Sequence, residues 1–148
     1  MHMDVVMCTW NSDKPHFTKV LESVRQEVPI HCFILIDKFS KDNTIQVVRK
    51  YFPQARIFRT TSELARARQI GIQQVDTEHF VFVGDDIVLP SGWFHRLWEN
   101  VDSKTGAIHA QAISALPFPY ERKWREWQGI WGQRRGVEKR GIIEVTKE

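Results

Sequence analysis

Short unbroken apolar runs alternate along this chain with stretches in which apolar residues recur every three or four positions. Asp4–Trp10, His31–Asp37 and Phe80–Val83 are runs of the first kind, with no polar alternation. That pattern predicts strands buried on both faces of a sheet. Arg56–Arg59 is a shorter candidate, and Gly106–Ile113 alternates enough to predict a fifth strand. Between these runs the period changes. Phe17, Val20, Leu21 and Val24 mark a first helix, with Ser12 or Asp13 as N-cap, Pro15 in its first turn and Pro29 just beyond its end. Asp42 or Asn43 caps a second helix with Ile45, Val48 and Phe52 inward, and Pro53 stops it. A third runs from Glu63 to about Val75, capped from Thr60, Thr61 or Ser62. Its predicted inner face is Leu64, Ala67, Gly71, Ile72 and Val75, with Arg68 in the middle of that face and Arg66 opposite. A cation on an apolar stripe needs a partner or an escape to the helix edge. Ser91 or Gly92 starts a fourth helix, with Trp93, Phe94, Leu97, Trp98 and Val101 as its apolar residues.

Four strand–helix units in succession predict an α/β fold: a mostly parallel central sheet with helices on both faces. The character changes beyond Leu116, where Pro117 and Pro119 mark a boundary. The expected division is a domain over 1–116 and a Trp-rich basic tail over 117–148. Tyr120, Trp124, Trp127 and Trp131 form one aromatic stripe on a helix in that tail. The stripe is expected to pack against the sheet or a second subunit; an interfacial membrane helix is the rival. Residues 141–145 (Gly-Ile-Ile-Glu-Val) are expected to add an edge strand.

Composition narrows the class. A chain of 148 residues is most simply one domain with its own core. No apolar run reaches bilayer length, and Met-His-Met-Asp at the N-terminus lacks the basic region of a signal peptide. Cys8 and Cys32 lie in strand-like runs and read as small buried hydrophobes. The expectation is a cytoplasmic protein, with the inner face of the membrane as a place of peripheral contact. The net charge is +3 and the pI about 9.0, with much of the excess between Arg122 and Arg140. Such a modest excess is expected to be a solvated face, and no nucleic acid is expected as partner.

The chemistry collects at the strand ends. Thr9 and Asn11 follow the first strand, Asp37 closes the second, and Asp85 and Asp86 follow the fourth. Parallel strands place their carboxyl ends on one edge, where ligands of open α/β sheets bind. Taken alone, Asp85-Asp86 reads as a strand end and helix cap. Taken with Asp37, Thr9 and the inward cation Arg68, it reads as one rim suited to a nucleotide and a metal. An Asp pairs with a base N–H or a ribose hydroxyl, carboxylates hold Mg²⁺ or Mn²⁺, and an Arg binds phosphate or base.

Four segments, in order, resemble the family 2 glycosyltransferases of the GT-A nucleotide-diphospho-sugar transferase fold. Val5-Val-Met-Cys-Thr-Trp-Asn11 is similar to a strand ending Pro-Thr-Tyr-Asn. Leu35-Ile-Asp-Lys-Phe-Ser-Lys-Asp-Asn-Thr44 resembles Val-Asp-Asp-Gly-Ser-x-Asp-x-Thr. Leu64-Ala-Arg-Ala-Arg-Gln-Ile-Gly-Ile72 resembles an Ala-Arg-Asn-x-Gly helix. Phe82-Val-Gly-Asp-Asp-Ile-Val-Leu-Pro-Ser-Gly-Trp93 resembles Phe-Leu-Asp-x-Asp-Asp-x-x-x-Pro. The resemblance implies an inverting transferase that uses a nucleotide-sugar donor, with a UDP-sugar favoured, and a glycan or lipid-linked acceptor. It implies that Thr9 and Asn11 line the nucleoside pocket, that Asp37 holds the base, that Arg68 approaches base or phosphate, and that Asp85 also binds the donor. Asp86 falls on the metal-binding position of an Asp-x-Asp-like motif, with Asp85 beside it and Mn²⁺ or Mg²⁺ as cofactor. Three positions depart from the pattern: Gly84 replaces the first acid of that motif, Lys38 the second Asp after the second strand, and Cys8 the usual Pro. A carboxylate base is expected later in the chain, yet Glu121, Glu126, Glu138 and Glu144 match no pattern, and none is assigned. His109 is expected to be a sheet residue. The alternatives are a donor-binding half of a longer enzyme, a non-catalytic nucleotide-binding module, and a homodimeric or membrane-docking assembly module built on the aromatic tail.

Overall fold

The computed structural model describes residues 1–110, 138–139 and 142–145. The chain divides into two compact units, Met1–Trp93 and Phe94–Glu148. The first unit runs β1 (Met3–Thr9), α1 (Phe17–Glu27), β2 (Ile30–Asp37), α2 (Thr44–Tyr51), β3 (Arg56–Arg59), α3 (Leu64–Ile72) and β4 (Phe80–Phe82). Its four strands are all parallel, in the order β3-β2-β1-β4. The apolar runs of β1 and β2 are central, which explains why neither alternates: both of their faces are covered.

The two faces differ in what covers them. Val5 and Met7 pair with Phe33 and Leu35, and Phe33 stacks on Phe52 after α2 with ring centres 4.1 Å apart. Phe17, Val20, Leu21 and Val24 of α1 are fully buried, as their spacing predicts. On the opposite face Val6, Ile34 and Ile36 meet Ala67 of α3, with Cys8, Cys32, Phe58 and Ile70 around them. The fold class read from the sequence, an α/β sheet flanked by helices, is what forms. Both cysteines are free thiols on the α3 face.

Several local expectations are corrected. Helix α1 begins at Phe17 with His16 as N-cap and no capping side chain. Ser12 and Asp13 are already engaged across the loops: the Ser12 N–H donates to Thr44 Oγ1 at 2.8 Å, and the Asp13 N–H to Asp42 Oδ2 at 3.0 Å. Helix α3 is shorter than predicted and rotated. Leu64, Arg68 and Ile72 are exposed, while Ala67 and Gly71 are buried. Gly71 sets that rotation, since a methyl group on it would lie 2.4 Å from Val6 Cγ1. The helix backbone therefore rests on β1 at this point, and Arg68 is carried to the helix edge. Strand β4 is not buried on both faces: Phe80 and Phe82 are 37% and 42% exposed. It is the outermost strand among the described residues, and the two rings share one face, edge to face at 5.3 Å.

Beyond β4, Leu89 is buried and its N–H donates to Ser23 Oγ of α1 at 3.0 Å. Pro90–Trp93 closes a turn through a 3.0 Å hydrogen bond from the Trp93 N–H to the Pro90 carbonyl. Gly92 takes φ 71° there, the conformation a type II turn asks of its third residue. Helix α4 (Trp93–Trp98) starts from this turn.

In the second unit, β5 (Ala107–Ala110), β6 (Glu138–Lys139) and β7 (Ile142–Val145) form an antiparallel sheet of order β5-β7-β6. The predicted fifth strand therefore exists but pairs antiparallel with β7, and the segment expected as an edge strand is central in its sheet. His109 is a sheet residue, opposite Ile143. The boundary expected at 116–117 and the aromatic stripe of the tail lie outside the described residues. No helix among the described residues is long and apolar enough to cross a membrane.

Candidate functional site

The parallel register sets the first layer of the site. Thr9, Asp37 and Arg59 are consecutive partners across β1, β2 and β3. Asp37 has 0% exposure, so its charge needs full compensation. Thr9 Oγ1 donates to Oδ1 at 3.2 Å, as does Ser40 Oγ at 2.5 Å; the Ser40 N–H donates to Oδ2 at 2.9 Å and Arg59 Nε at 3.2 Å. Four donors hold one carboxylate, and three strand ends are braced by it.

Two residues in the left-handed region shape the loops above this brace. Asn11 has φ 50° and Phe39 φ 49°. Asn tolerates that conformation; a Phe there is strained. Phe39 stands where the resembling segment carries Gly, and its ring lies 4.7 Å from Arg59 Cζ. Asn11 ties the loops together, its N–H donating to Ser40 Oγ at 2.8 Å and its Oδ1 accepting from the Lys41 N–H at 2.8 Å. Asp42 accepts the Thr44 N–H at 3.1 Å and the Thr44 hydroxyl at 2.5 Å, whereas the N-cap of α2 is Asn43, whose side chain makes no cap bond. Burial raises the Asp42 carboxyl pKa, yet the bonds from Thr44 and from the Asp13 N–H together hold it below the ordinary value.

The acidic pair sits in a tight turn after β4. The Ile87 N–H donates to the Gly84 carbonyl at 3.3 Å, which puts Asp85 and Asp86 at the two central positions. Asp85 Oδ2 accepts a very short hydrogen bond from Ser12 Oγ, joining the turn to the β1 loop. Asp86 is exposed, and its Oδ1 lies 2.8 Å from where a Cβ on Gly84 would stand. The missing first acid of the motif thus leaves room that the Asp86 carboxylate occupies. Arg68 lies with its Cζ 5.9 Å from the Phe82 ring centre. Burial pushes the Cys8 thiol up, while the Arg68 charge draws it down and the Asp85 charge raises it further.

The outer rim is aromatic and charged. Trp10 is 64% exposed, and Lys38 Nζ lies 6.0 Å from its ring centre. Lys38 Nζ also pairs with Glu63 Oε1 at 2.7 Å.

Thr9, Asn11 and Asp37 are thus brought together, Asp85 is linked to them through Ser12, and Asp86 stands exposed beside it. Arg68 is not bonded to this network. Sequence reasoning missed Ser12, Ser40 and Arg59. Ser12 read as a helix cap, and only the folded chain shows it reaching Asp85, 73 positions away. Among the described residues no three His, Cys, Asp or Glu side chains cluster to hold a metal by themselves. Mg²⁺ or Mn²⁺ beside a diphosphate needs only one or two protein carboxylates, with phosphate and water completing the shell. The exposed Asp86, backed by Asp85, fits that smaller requirement.

The family described as glycosyl transferase family 2 matches residues 4–145. Among solved structures, S. aureus TarS 1-349 superposes with TM-score 0.64 at 19% identity, over 80% of this chain and 38% of that one. Its complex with UDP gives 0.63 at 19% identity, over the same 80% and 38%. The mannosyltransferase PcManGT from Pyrobaculum calidifontis, in complex with GDP-Man and Mn²⁺, gives 0.61 at 16% identity, over 77% of this chain and 36% of that one. At these identities the likeness is one of fold, and the chain spans under two fifths of each protein's length. Comparison with curated protein sequences finds no match.

Proposed function

The chain belongs to glycosyl transferase family 2, and on that premise we propose that it binds a nucleotide-diphospho-sugar at the carboxyl edge of β1, β2 and β4 and transfers the sugar, with inversion, to a hydroxyl of a glycan or lipid-linked acceptor. The observation that supports this reading is a rim of two hydrogen-bonded clusters joined through the Asn11–Ser12 peptide. Asp85 is held by Ser12, Ser12 by Thr44, Asn11 by Ser40, and Ser40 by Asp37 with Thr9 and Arg59. A rim ordered in this way presents fixed backbone and side-chain dipoles to a charged ligand without reorganising them.

In this reading Thr9 and Asn11 line the nucleoside pocket, with Asp37 as the brace beneath it. Arg68 approaches the phosphates from α3, and Asp85 orients the turn. Asp86 holds Mn²⁺ or Mg²⁺, which when bound neutralises diphosphate charge as the nucleotide leaves. The residue that accepts the acceptor's proton is left unassigned among the carboxylates beyond Leu116. The two similar structures divide on the base, UDP in one and GDP-Man in the other. The resemblance of the rim segments favours a UDP-sugar. The free thiols fit a reducing, cytoplasmic compartment. Tail contacts with a second subunit or a membrane surface remain part of the proposal through the aromatic stripe.

The test is a thermal-shift series with UDP-, GDP- and dTDP-sugars, each with and without Mn²⁺. Stabilisation by at least one donor, enhanced by Mn²⁺, is expected. Asp86→Asn should remove the Mn²⁺ enhancement and leave the metal-free shift in place. No response to any nucleotide sinks the reading, and an unchanged Mn²⁺ effect in Asp86→Asn sinks the metal assignment. Sugar transfer to a supplied acceptor separates a transferase from a nucleotide-binding module.

A further inference from the structure

We propose that Lys38 and Glu63 read the base of the donor nucleotide, and that the base they select is guanine. The inference rests on the donor site proposed above and concerns only which nucleotide fills it. The expected base contact, Asp37, has no spare capacity: it is fully buried and already accepts from Thr9, Ser40 and Arg59. A base N–H must find its acceptor elsewhere. The next residue, Lys38, is a cation where the resembling segment carries a second Asp, and it supplies donors only.

Lys38 does not stand alone at the rim. Its Nζ meets Glu63 Oε1 at 2.7 Å, and the Glu63 side chain is 88% exposed, open to a ligand. The pair therefore offers an ammonium donor beside a carboxylate with two acceptor oxygens. Read in order, that is donor, acceptor, acceptor. The Watson–Crick edge of guanine presents O6, N1–H and N2–H, which is acceptor, donor, donor. Every position is complementary, and a carboxylate can take the two N–H groups together. Uracil presents acceptor, donor, acceptor, so one of its carbonyl oxygens faces the carboxylate. Cytosine presents donor, acceptor, acceptor, and in either orientation its N3 lone pair faces a carboxylate oxygen. The exposed Trp10 ring next to Lys38 supplies an apolar face on which a base can stack, indifferent to base identity. Stacking on Trp10 thus supplies affinity, and the Lys38–Glu63 pair supplies the choice.

Isothermal titration of the full chain with GDP and with UDP, both with Mn²⁺, tests this. GDP is expected to bind at least about tenfold more tightly, a modest ratio because the reading pair is solvent-facing. Glu63→Ala should bring the two affinities within about threefold by weakening GDP alone, and Glu63→Gln, which keeps one acceptor, should fall between. Trp10→Ala should weaken both nucleotides alike, a control that separates stacking from reading. UDP binding as tightly as GDP overturns the inference and leaves the donor site standing. An unchanged GDP-to-UDP ratio in Glu63→Ala also overturns it. Binding of neither nucleotide overturns both this inference and the donor site.

Discussion

The brace at Asp37 can be tested by two substitutions whose costs differ for a definite reason. Its Oδ1 receives two hydroxyls, Thr9 and Ser40, while Oδ2 receives two N–H groups, from Ser40 and Arg59. Hydroxyls can turn round and accept; N–H groups cannot. In Asp37→Asn the amide oxygen can replace Oδ2 and its NH₂ can donate to the turned hydroxyls. What is lost is the charge, chiefly toward Arg59, whose side chain is 42% exposed and so screened by water. The expected cost is about 1 to 2 kcal/mol. In Asp37→Ala nothing replaces Oδ2. The Ser40 N–H is left unmet at a buried position, a cavity opens, and the hydroxyls lose their acceptor. The expected cost is about 3 to 4 kcal/mol. Urea denaturation followed by tryptophan fluorescence resolves the two, since at a slope of about 1.5 kcal/mol/M the midpoints should differ by about 0.7 to 2 M. Equal costs for Asn and Ala refute the account of reversible hydroxyls. Nucleotide affinity supplies a second reading: in folded Asp37→Asn it should stay within a few-fold of wild type. A loss far beyond that would return Asp37 to direct contact with the base.

Gly71→Ala should destabilise the protein by about 1 to 2 kcal/mol: the helix gains about 1 kcal/mol of propensity, but the new methyl lies 2.4 Å from Val6 Cγ1 on a fully buried strand that cannot give way. In a Val6→Ala background the same substitution should turn neutral or stabilising, which a double-mutant cycle by chemical denaturation checks. Asp4 links the sheet to the α3–β4 loop: although burial raises its pKa, hydrogen bonds from the Asp76 and Thr77 N–H groups and the His31 contact hold it below the ordinary value. The folded state therefore binds that proton less readily than the unfolded one, so its stabilisation is complete above about pH 4 and is lost as pH falls through the lowered folded pKa. Thermal melts of wild type against Asp4→Asn should show a gap at pH 7 that narrows steadily below pH 4; a gap independent of pH contradicts the sign.

Much of the scaffold was legible in the chain because its signals are local. Unbroken apolar runs marked β1 and β2, and the spacing of Phe17, Val20, Leu21 and Val24 marked the buried face of α1. The candidate site was partly legible for the same reason: parallel strands bring their ends to one edge, so Thr9, Asn11, Asp37 and Asp85 could be placed there from order alone. The errors have a common physical origin. Ser12 has the chemistry of a helix cap, and nothing nearby in sequence shows that Asp85 competes for its hydroxyl. Arg68 falls on the apolar stripe of an ideal helical wheel, but the close approach of Gly71 to Val6 turns α3 and carries Arg68 to the edge. The run Phe80–Val83 has a composition fit for burial, and its place beside β1 at the end of the sheet leaves two of its rings exposed.

The sequence by itself determined the class of fold, the order of its elements and the edge on which polar groups gather, because periodicity and strand direction are properties of short segments. Tertiary structure alone decided how the polar groups are paired and how deeply each is buried. Asp37, the most obvious ligand in the sequence, is enclosed by four donors, whereas Lys38 and Glu63, 25 positions apart, meet at the open rim. Burial and pairing depend on contacts between distant segments, and those contacts exist only once the sheet has set its register.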